Sequence, residues 1–246
     1  MKTLKGSILS RSSHNGKETM RRLIGVWLDE YGIKNYTIND DYTIDVNGDI
    51  EFYERDIIEF PDYIQFGEVS GYFSCSYNNL TSLRGAPKRV EWYFDCSNNY
   101  LTSLEGAPKE VRGHFDCRLN KLTTLEGAPK EVGSFNCEKN KLTSLKGAPK
   151  KVSGDFYCNF NQLTSLEGAP VEVGRDFNCT YNKLTSLEGS PKEVGWTFNC
   201  RYNRLTSLEG APKEVGGGFY CSYNKIKFTK EDVMKVCNIN SNCIIV

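Results

Sequence analysis

The chain has 246 residues, with 31 Lys and Arg side chains balanced by 31 Asp and Glu side chains, so its formal net charge is zero. This balance argues against a nucleic-acid-binding module, which usually carries a basic excess. The apolar fraction is 39%. With glycine counted it is about 48%, which is typical of a globular chain and argues against a disordered or fibrous one. No apolar run approaches the roughly 20 residues that cross a bilayer, and the first 20 residues do not have the pattern of a secretory signal.

The N-terminal flank predicts a cap for a larger core. Asn15-x-x-Glu18 resembles a capping box, and Gly32 predicts the helix stop. Apolar residues follow Glu18 at helical spacing: Met20, Leu23, Ile24, Trp27, Leu28 and Tyr31. An amphipathic helix could bind a partner or a membrane, but we favour a cap. Residues 2–14 favour a disordered terminus over an export segment.

After the helix, residues 36–46 predict one strand, and Asn47-Gly48 predicts a tight turn. Ile50-x-Phe52, Ile57, Phe60-Pro61 and Ile64 then repeat the apolar pattern of the units that follow, without their cysteine and asparagine. We interpret this segment as a degenerate first coil, in which Phe52 takes the cysteine position 23 residues before Cys75.

Eight of the ten cysteines recur at intervals of 21, 21, 20, 21, 21, 21 and 21 residues. They are Cys75, Cys96, Cys117, Cys137, Cys158, Cys179, Cys200 and Cys221. A fixed period in this range is typical of a solenoid in which each unit forms one coil. The unit has the pattern C-x-x-N-x-L-T-S-L-E-G-A-P-K-E-V-G-x-x-F-x, with seven copies between Cys75 and Tyr220.

Each part of the unit predicts a local structure. Phe94-x-Cys96 alternates with period 2, which places both side chains on one face of a short strand, parallel to its counterpart in the next coil. The asparagine three residues after each cysteine can satisfy buried backbone groups of its own and neighbouring coils at a tight corner. Seven of the eight prolines occupy one position of the unit, which predicts an extended or polyproline-like return side.

One unit is a residue short. Val111 to Phe115 spans one residue more than Val132 to Phe135, so the missing residue lies before the strand. We therefore predict that strand register survives the deletion, as in a tolerated loop change.

Val111-x-x-x-Phe115-x-Cys117-x-x-Asn120-x-Leu122-x-x-Leu125 resembles a leucine-rich repeat. The short unit and its proline are similar to the YopM and IpaH type of bacterial effector, although Gly-Ala-Pro replaces the paired Leu-Pro steps and the ligase domain of the IpaH group is absent. The wording Thr-Ser-Leu-Glu-Gly-Ala-Pro-Lys resembles repeat proteins of tailed bacteriophages more closely. The resemblance implies a leucine-rich repeat solenoid with a parallel β-sheet on the concave face, an extended convex side, a small N-terminal helical cap and a short C-terminal helical cap.

The C-terminal flank keeps the pattern at Asn224 and Ile226, and Thr229-x-x-Asp232 predicts a short helix to about Val236. The last four residues, Cys243-Ile244-Ile245-Val246, have the form of a prenylation box, but we favour a closing strand. The predicted organisation is an N-terminal cap (1–45, helix plus strand), a degenerate first coil (46–74), leucine-rich repeats (75–224) and a C-terminal cap (225–246).

The sequence offers little material for catalysis. It has only two histidines, His14 and His114, and no phosphate-binding loop, dinucleotide fingerprint or paired-carboxylate motif. We expect the repeated cysteines to be buried, reduced hydrophobes, neither nucleophiles nor metal ligands. Cys237 and Cys243 lie outside this series, so we expect them to be accessible, and they could pair. The sequence therefore predicts no catalytic residue, no cofactor and no metal.

The variable positions of the unit flank the strand: just before the phenylalanine, between phenylalanine and cysteine, and the two after cysteine. All four are predicted to point onto the concave sheet, and eight of the 14 tyrosines lie there. Tyrosine is common in protein recognition. The alternative is that these tyrosines merely cover an exposed parallel sheet. The candidate partner-binding residues are Tyr72, Tyr77, Tyr93, Asp95, Asp116, Tyr157, Phe160, Tyr181, Tyr202, Tyr220 and Tyr223.

These observations predict a non-catalytic protein-binding scaffold that engages a macromolecular partner through its concave face. The phage-like wording implies a phage-encoded protein that acts on a bacterial host protein in the host cytoplasm, where free buried thiols stay reduced. The alternative is a secreted effector acting inside a eukaryotic cell. Nucleic acid is disfavoured because Asp95, Asp116, Asp155 and Asp176 would repel phosphates on that face. No membrane partner is expected.

Overall fold

The computed structural model describes residues 14–239 and 241–246, so residues 2–13 of the predicted disordered terminus lie outside the described residues. The chain forms the predicted leucine-rich repeat solenoid, with a parallel sheet on the concave face and an extended return side. No helix within the described ranges is long and apolar enough to span a membrane.

The N-terminal cap begins with helix α1 (His14–Glu30), one residue before the predicted cap position at Asn15. Gly32 ends it with φ +68°, and the Ile33 N–H bonds the Leu28 carbonyl at 2.9 Å, as in a Schellman motif. The single strand predicted over residues 36–46 is wrong. The segment is an antiparallel hairpin of β1 (Tyr36–Ile38) and β2 (Ile44–Val46), because the Asn39-Asp40-Asp41 run turns the chain.

From β2 onwards the coils form two parallel ladders. The first passes through the valine of each unit and comprises β2, β4 (Phe66–Val69), β6 (Arg89–Val90), β8 (Glu110–Asp116), β9 (Glu131–Asn136), β10 (Lys151–Val152), β12 (Glu172–Val173), β14 (Glu193–Val194) and β16 (Glu214–Val215).

The second ladder passes through the phenylalanine. It comprises β3 (Ile50–Glu51), β5 (Phe73–Ser74), β7 (Tyr93–Asp95), β11 (Phe156–Tyr157), β13 (Phe177–Asn178), β15 (Phe198–Asn199), β17 (Phe219–Tyr220) and β18 (Ile244–Ile245), together with the ends of β8 and β9. Ile50 pairs with Phe73, so Phe52 takes the cysteine position of the degenerate first coil, as predicted.

Beneath the second ladder lies a continuous core. The phenylalanines from Phe73 to Phe198 stack with ring centroids 5.1–5.6 Å apart. The neighbouring cysteines are free and buried, as predicted. Six thiols also reach a carbonyl of the next coil: Cys96 Sγ, for example, donates to the Asp116 carbonyl at 3.4 Å. Burial raises the pKa of every thiol in this column, to about 12 at Cys221.

The asparagines hold the corners as predicted. Asn161 Nδ2 donates to the carbonyls of Cys137 at 3.0 Å and Cys158 at 3.1 Å, and its Oδ1 accepts the Leu142 N–H at 3.0 Å. One buried side chain therefore joins two successive coils through backbone groups that would otherwise be unpaired.

The short unit keeps its register, as predicted. Val111 pairs with Val132 and Phe115 with Phe135, and the shift lies between these pairs. β8 and β9 run through both ladders, whereas β10 and β11, in the next coil, are separate strands.

The C-terminal cap has helix α2 (Lys230–Val236), opened by the predicted capping box of Thr229 and Asp232, and a 3₁₀ turn (Ser241–Cys243). The predicted closing strand is β18, which pairs in parallel with β17. The expected accessibility of Cys237 is wrong: it is 5% exposed, because it follows α2 directly and packs into the end of the core. Cys243 is half-buried, and both thiols are free.

Candidate partner-binding face

The variable position between phenylalanine and cysteine lies on the strands of the second ladder. The position before the phenylalanine lies at or just before the start of the strand, and the other two follow it. The side chains opposite the buried phenylalanines and cysteines form the floor of the concave face. The second residue after each cysteine lies beyond the strand, at a corner. We call these corner residues the rim column: Tyr77, Asn98, Leu119, Lys139, Phe160, Tyr181, Tyr202 and Tyr223.

Every rim-column residue has a left-handed backbone, with φ between 52° and 59°. This conformation costs a non-glycine residue roughly 1–2 kcal/mol. The asparagine bonds of the following position hold the corner in this shape. The repeat pattern predicted these side chains on the sheet itself, whereas the corner moves them to its edge.

In the C-terminal coils the rim column becomes an aromatic stack. The ring centroids of Phe160 and Tyr181 are 4.3 Å apart, those of Tyr181 and Tyr202 4.3 Å, and those of Tyr202 and Tyr223 4.5 Å, with planes within 8° of parallel. Lys139 and Arg201 place their cations 5.5–5.6 Å from rings of this stack. Phe160, Tyr181 and Tyr223 remain 41–63% exposed, so a row of ring edges faces solvent.

The N-terminal coils have no such stack, since Asn98, Leu119 and Lys139 interrupt the rim column. Tyr77 instead packs against Tyr53 at 5.1 Å. Tyr53 was missed by the sequence analysis because its coil lacks the cysteine and asparagine that mark the corner. Tyr72 is half-exposed, with its hydroxyl 3.4 Å from Glu51.

On the floor, Tyr93, Asp95 and Asp116 lie in adjacent coils, and they are largely engaged with their own neighbours. Asp116 is only 2% exposed, which corrects the expectation that it faces solvent. Its carboxylate lies 3.5 Å from Arg118 and 3.7 Å from His114, whose ring stacks on Tyr93 at 5.2 Å. Burial raises the pKa of the Asp95 carboxyl and of the Tyr93 hydroxyl.

The residue between phenylalanine and cysteine has a local role in six coils. Its side-chain oxygen accepts the backbone N–H two residues later, as Asp95 does from Ser97 at 2.8 Å and Asn178 from Thr180 at 3.0 Å. The other four are Ser74, Asp116, Asn136 and Asn199. Tyr157 and Tyr220 replace this acceptor in the remaining two coils. The ring of Tyr220 lies over Gly218, where a Cβ would come within 2.7 Å of it.

The opposite edge of the face carries two exposed tryptophans that the sequence analysis did not select. Trp92 is 72% exposed and Trp196 55% exposed, and the Arg175 guanidinium lies 4.5 Å from the Trp196 ring centroid. They stand two residues before the phenylalanine, where several other coils have glycine. Bulky side chains at a position dominated by glycine were the signal that could have found them.

No group of three or more His, Cys, Asp or Glu side chains in residues 14–239 and 241–246 could hold a metal ion. A depression of about 1050 Å³ beside the short unit is lined by charged residues, such as Lys130 and Glu131, together with small and apolar residues, such as Ala128 and Val111.

Comparison with models of known protein families gives no match, and a search of curated proteins finds no similar sequence.

Proposed function

We propose that the protein is a non-catalytic scaffold that binds a protein partner through its concave face. The observation that carries the proposal is the exposed stack of Phe160, Tyr181, Tyr202 and Tyr223. Each ring is held by its neighbours before any partner arrives, so little side-chain entropy is lost on binding. Tyrosines supply large contact area together with a hydroxyl group.

The alternative, in which the aromatic residues only cover the sheet, fits the rim column less well. These rings lie beyond the ends of the strands and expose their edges. The floor residues Asn178 and Asn199, which do cover the sheet, are amides engaged with the backbone. An exposed row of four rings is typical of an interaction surface.

A non-catalytic role is supported by the state of the nucleophiles and bases. The ladder thiols are buried with raised pKa values, which disfavours the reactive thiolate. His114 is engaged by Tyr93 and Asp116.

For the cellular setting, we propose a phage-encoded protein that acts on a bacterial host protein in the host cytoplasm. The support is the resemblance of the repeat wording to phage repeat proteins, together with ten free cysteines, which suit a reducing compartment. The second candidate is a secreted effector that acts in a eukaryotic cell. Fusion of residues 1–40 to a secretion reporter separates the two, because only an effector needs an export segment.

The main test compares three proteins as bait in bacterial lysate: the unchanged chain, a double variant Tyr181→Ala/Tyr202→Ala, and the control Leu119→Ala. Leu119 shares the rim column and its backbone angle but has no ring partner among the described residues. We expect a bound protein that the double variant loses and the control retains, with affinity confirmed on the purified pair. Equal retention by all three baits would overturn the assignment of this face.

A further inference from the structure

A polar hollow of about 300 Å³ lies on the floor of the concave face, beside the aromatic stack. It is lined by Glu138, Tyr157, Asn159, Asp176, Phe177, Asn178, Thr197 and Asn199. The residues around it belong to the coils in which the rim column becomes aromatic.

One buried polar atom in this hollow has no partner within the described part of the chain. Asn159 is 6% exposed, and its Oδ1 accepts no hydrogen bond there. A buried carbonyl oxygen without a donor costs roughly 1–3 kcal/mol. Such an oxygen calls for a donor that arrives with a ligand.

The backbone hydrogen bonds of this coil also differ from those of its neighbours. In the neighbouring coils Asn136 accepts the Glu138 N–H at 3.0 Å and Asn178 accepts the Thr180 N–H at 3.0 Å. Tyr157 takes the same position and offers no such acceptor to the Asn159 backbone N–H. The unpaired Oδ1 of the Asn159 side chain is a second, separate departure in this coil. The loss of a hydrogen bond that most other coils make, with no replacement among the described residues, is expected at functional sites.

The charges around the hollow indicate the charge of the ligand that would bind there. Its charged lining residues are two carboxylates, Glu138 and Asp176. Glu138 lies 3.6 Å from Lys139, whereas Asp176 has no ion pair among the described residues and accepts only the Thr197 N–H, at 3.0 Å. The nearby Arg175 pairs with Asp155 at 3.8 Å. The hollow thus presents acceptors and negative charge to a donor that carries positive charge.

We propose that this hollow receives a basic side chain, a guanidinium or ammonium group, from the partner protein. The N–H donors of the cation satisfy Asn159 Oδ1 while its charge faces Asp176. The inference rests on the proposed function for its partner, but cation binding can be measured without that partner.

The experiment titrates the isotopically labelled full chain with N-acetylarginine methylamide and follows the Asn159 amide signals by NMR. Its uncharged counterpart, N-acetylcitrulline methylamide, keeps the shape and removes the charge. We expect saturable shifts with the arginine compound, with a Kd of about 1 mM or weaker as suits one side chain, and at least tenfold weaker binding of the citrulline compound.

Two matched variants locate the effect. Asp176→Asn keeps an oxygen for the Thr197 N–H but loses the charge, and should weaken arginine binding by at least about fivefold. Asp155→Asn makes the same change in the preceding coil, where Arg175 already pairs with the carboxylate, and should change affinity by less than about twofold. Absence of saturable shifts, equal binding of the two compounds, or equal effects of the two variants would overturn the proposal.

Failure of this inference and failure of the proposed function are distinguishable. If the Tyr181→Ala/Tyr202→Ala bait loses a partner but the arginine compound does not bind, only the cation site is wrong. If the compound binds at Asn159 but no protein depends on the aromatic stack, the proposed function is wrong.

Discussion

Two groups of coils share one scaffold but differ in which side chains have partners. The first group contains Asp95 and Asp116, and the second contains Tyr181 and Tyr202. In the first group the floor is closed, in the sense that its charged side chains contact one another: Asp116 contacts Arg118 and His114 and is almost fully buried. In the second group the rim column is an exposed aromatic stack, and Asn159 on the floor has an unpaired oxygen.

Some residues of the repeat unit maintain the fold, and others are free to vary. Phenylalanine, cysteine and asparagine make the same contacts in both groups, so they belong to the fold. The residues that differ between the groups leave the corner backbone unchanged, as the rim φ of 53–56° at Asn98, Leu119, Tyr181 and Tyr202 shows. Function is therefore expected where the second group departs from the first.

The largest expected effect is on thiol reactivity, which tests whether the ladder cysteines are equally protected from solvent in both groups. At pH 8 a small maleimide should label Cys243 quickly and the eight ladder cysteines at least about a thousandfold more slowly, because their labelling needs transient opening. Cys237 should also be slow, since burial raises its pKa to about 11. Mass spectrometry of timed samples measures this. Rapid labelling of ladder cysteines in one group alone would show that the shared scaffold is not uniformly formed.

The next effect concerns the corner asparagines. Asn120→Ala and Asn161→Ala should each lower the free energy of unfolding by about 3 kcal/mol, because each leaves a buried N–H and two or more carbonyls unpaired. Urea denaturation measures both losses. Gln162→Ala, an exposed neighbour, is the control and should cost less than about 0.5 kcal/mol. A large difference between the two asparagines would contradict the view that the groups share one scaffold.

The rim column gives a smaller effect that should differ between the groups. Tyr181→Ala removes two ring contacts and should cost about 1 kcal/mol of stability, whereas Leu119→Ala should cost less than about 0.5 kcal/mol. Binding of the partner should weaken by about 1 kcal/mol or more for Tyr181→Ala only, if this ring is an anchor. Equal melting losses with unchanged binding would mean that the stack is structural cover.

Much of the scaffold was predictable because each coil must solve the same problem. The spacing of Cys158 and Asn161 determines the strand and the corner, and neighbouring units confirm each other. The hairpin at Asn39 was missed because it occurs once, in the cap, where no repetition separates a turn from a strand. The burial of Cys237 was missed because it depends on how α2 packs on the end of the core.

The site was less predictable for a related reason. Tyr157 was selected for its own ring, but it also removes the acceptor that Asn136 and Asn178 offer to the backbone N–H two residues later. The unpaired Oδ1 of Asn159 is a separate feature that depends on how that side chain packs on the floor. Likewise, the burial of Asp116 depends on Arg118 and His114, which stand in other variable positions. Contacts between side chains at different positions of the unit depend on three-dimensional packing. A comparison of the units one position at a time therefore does not reveal them.

The smallest expected effect is on the pH dependence of stability. It tests whether the buried Asp95 carboxylate of the first group lowers the free energy of unfolding. Burial raises the pKa of Asp95 above its ordinary value of 3.8, and Asp116 adds to the rise, while hydrogen bonds from Ser97 and the charge of Arg118 oppose it. The folded chain therefore holds this proton more tightly than the unfolded chain. The ionised carboxylate destabilises the fold fully above its folded pKa, and this cost disappears as the pH falls through that value to below 3.8.

Asp95→Asn should remove the cost while keeping an oxygen for the Ser97 N–H. The variant should therefore melt higher at pH 7, by no more than the roughly 2–4 °C that about 1 kcal/mol produces in a chain of this size, and the gain should vanish near pH 3. Asp155→Asn is the control from the second group, and it should not stabilise the protein, because its carboxylate faces Arg175. Scanning calorimetry at the two pH values decides the matter. A variant that melts lower at pH 7 would show that Asp95 is favourably paired when ionised, so the first group would not be closed at the cost of a buried charge.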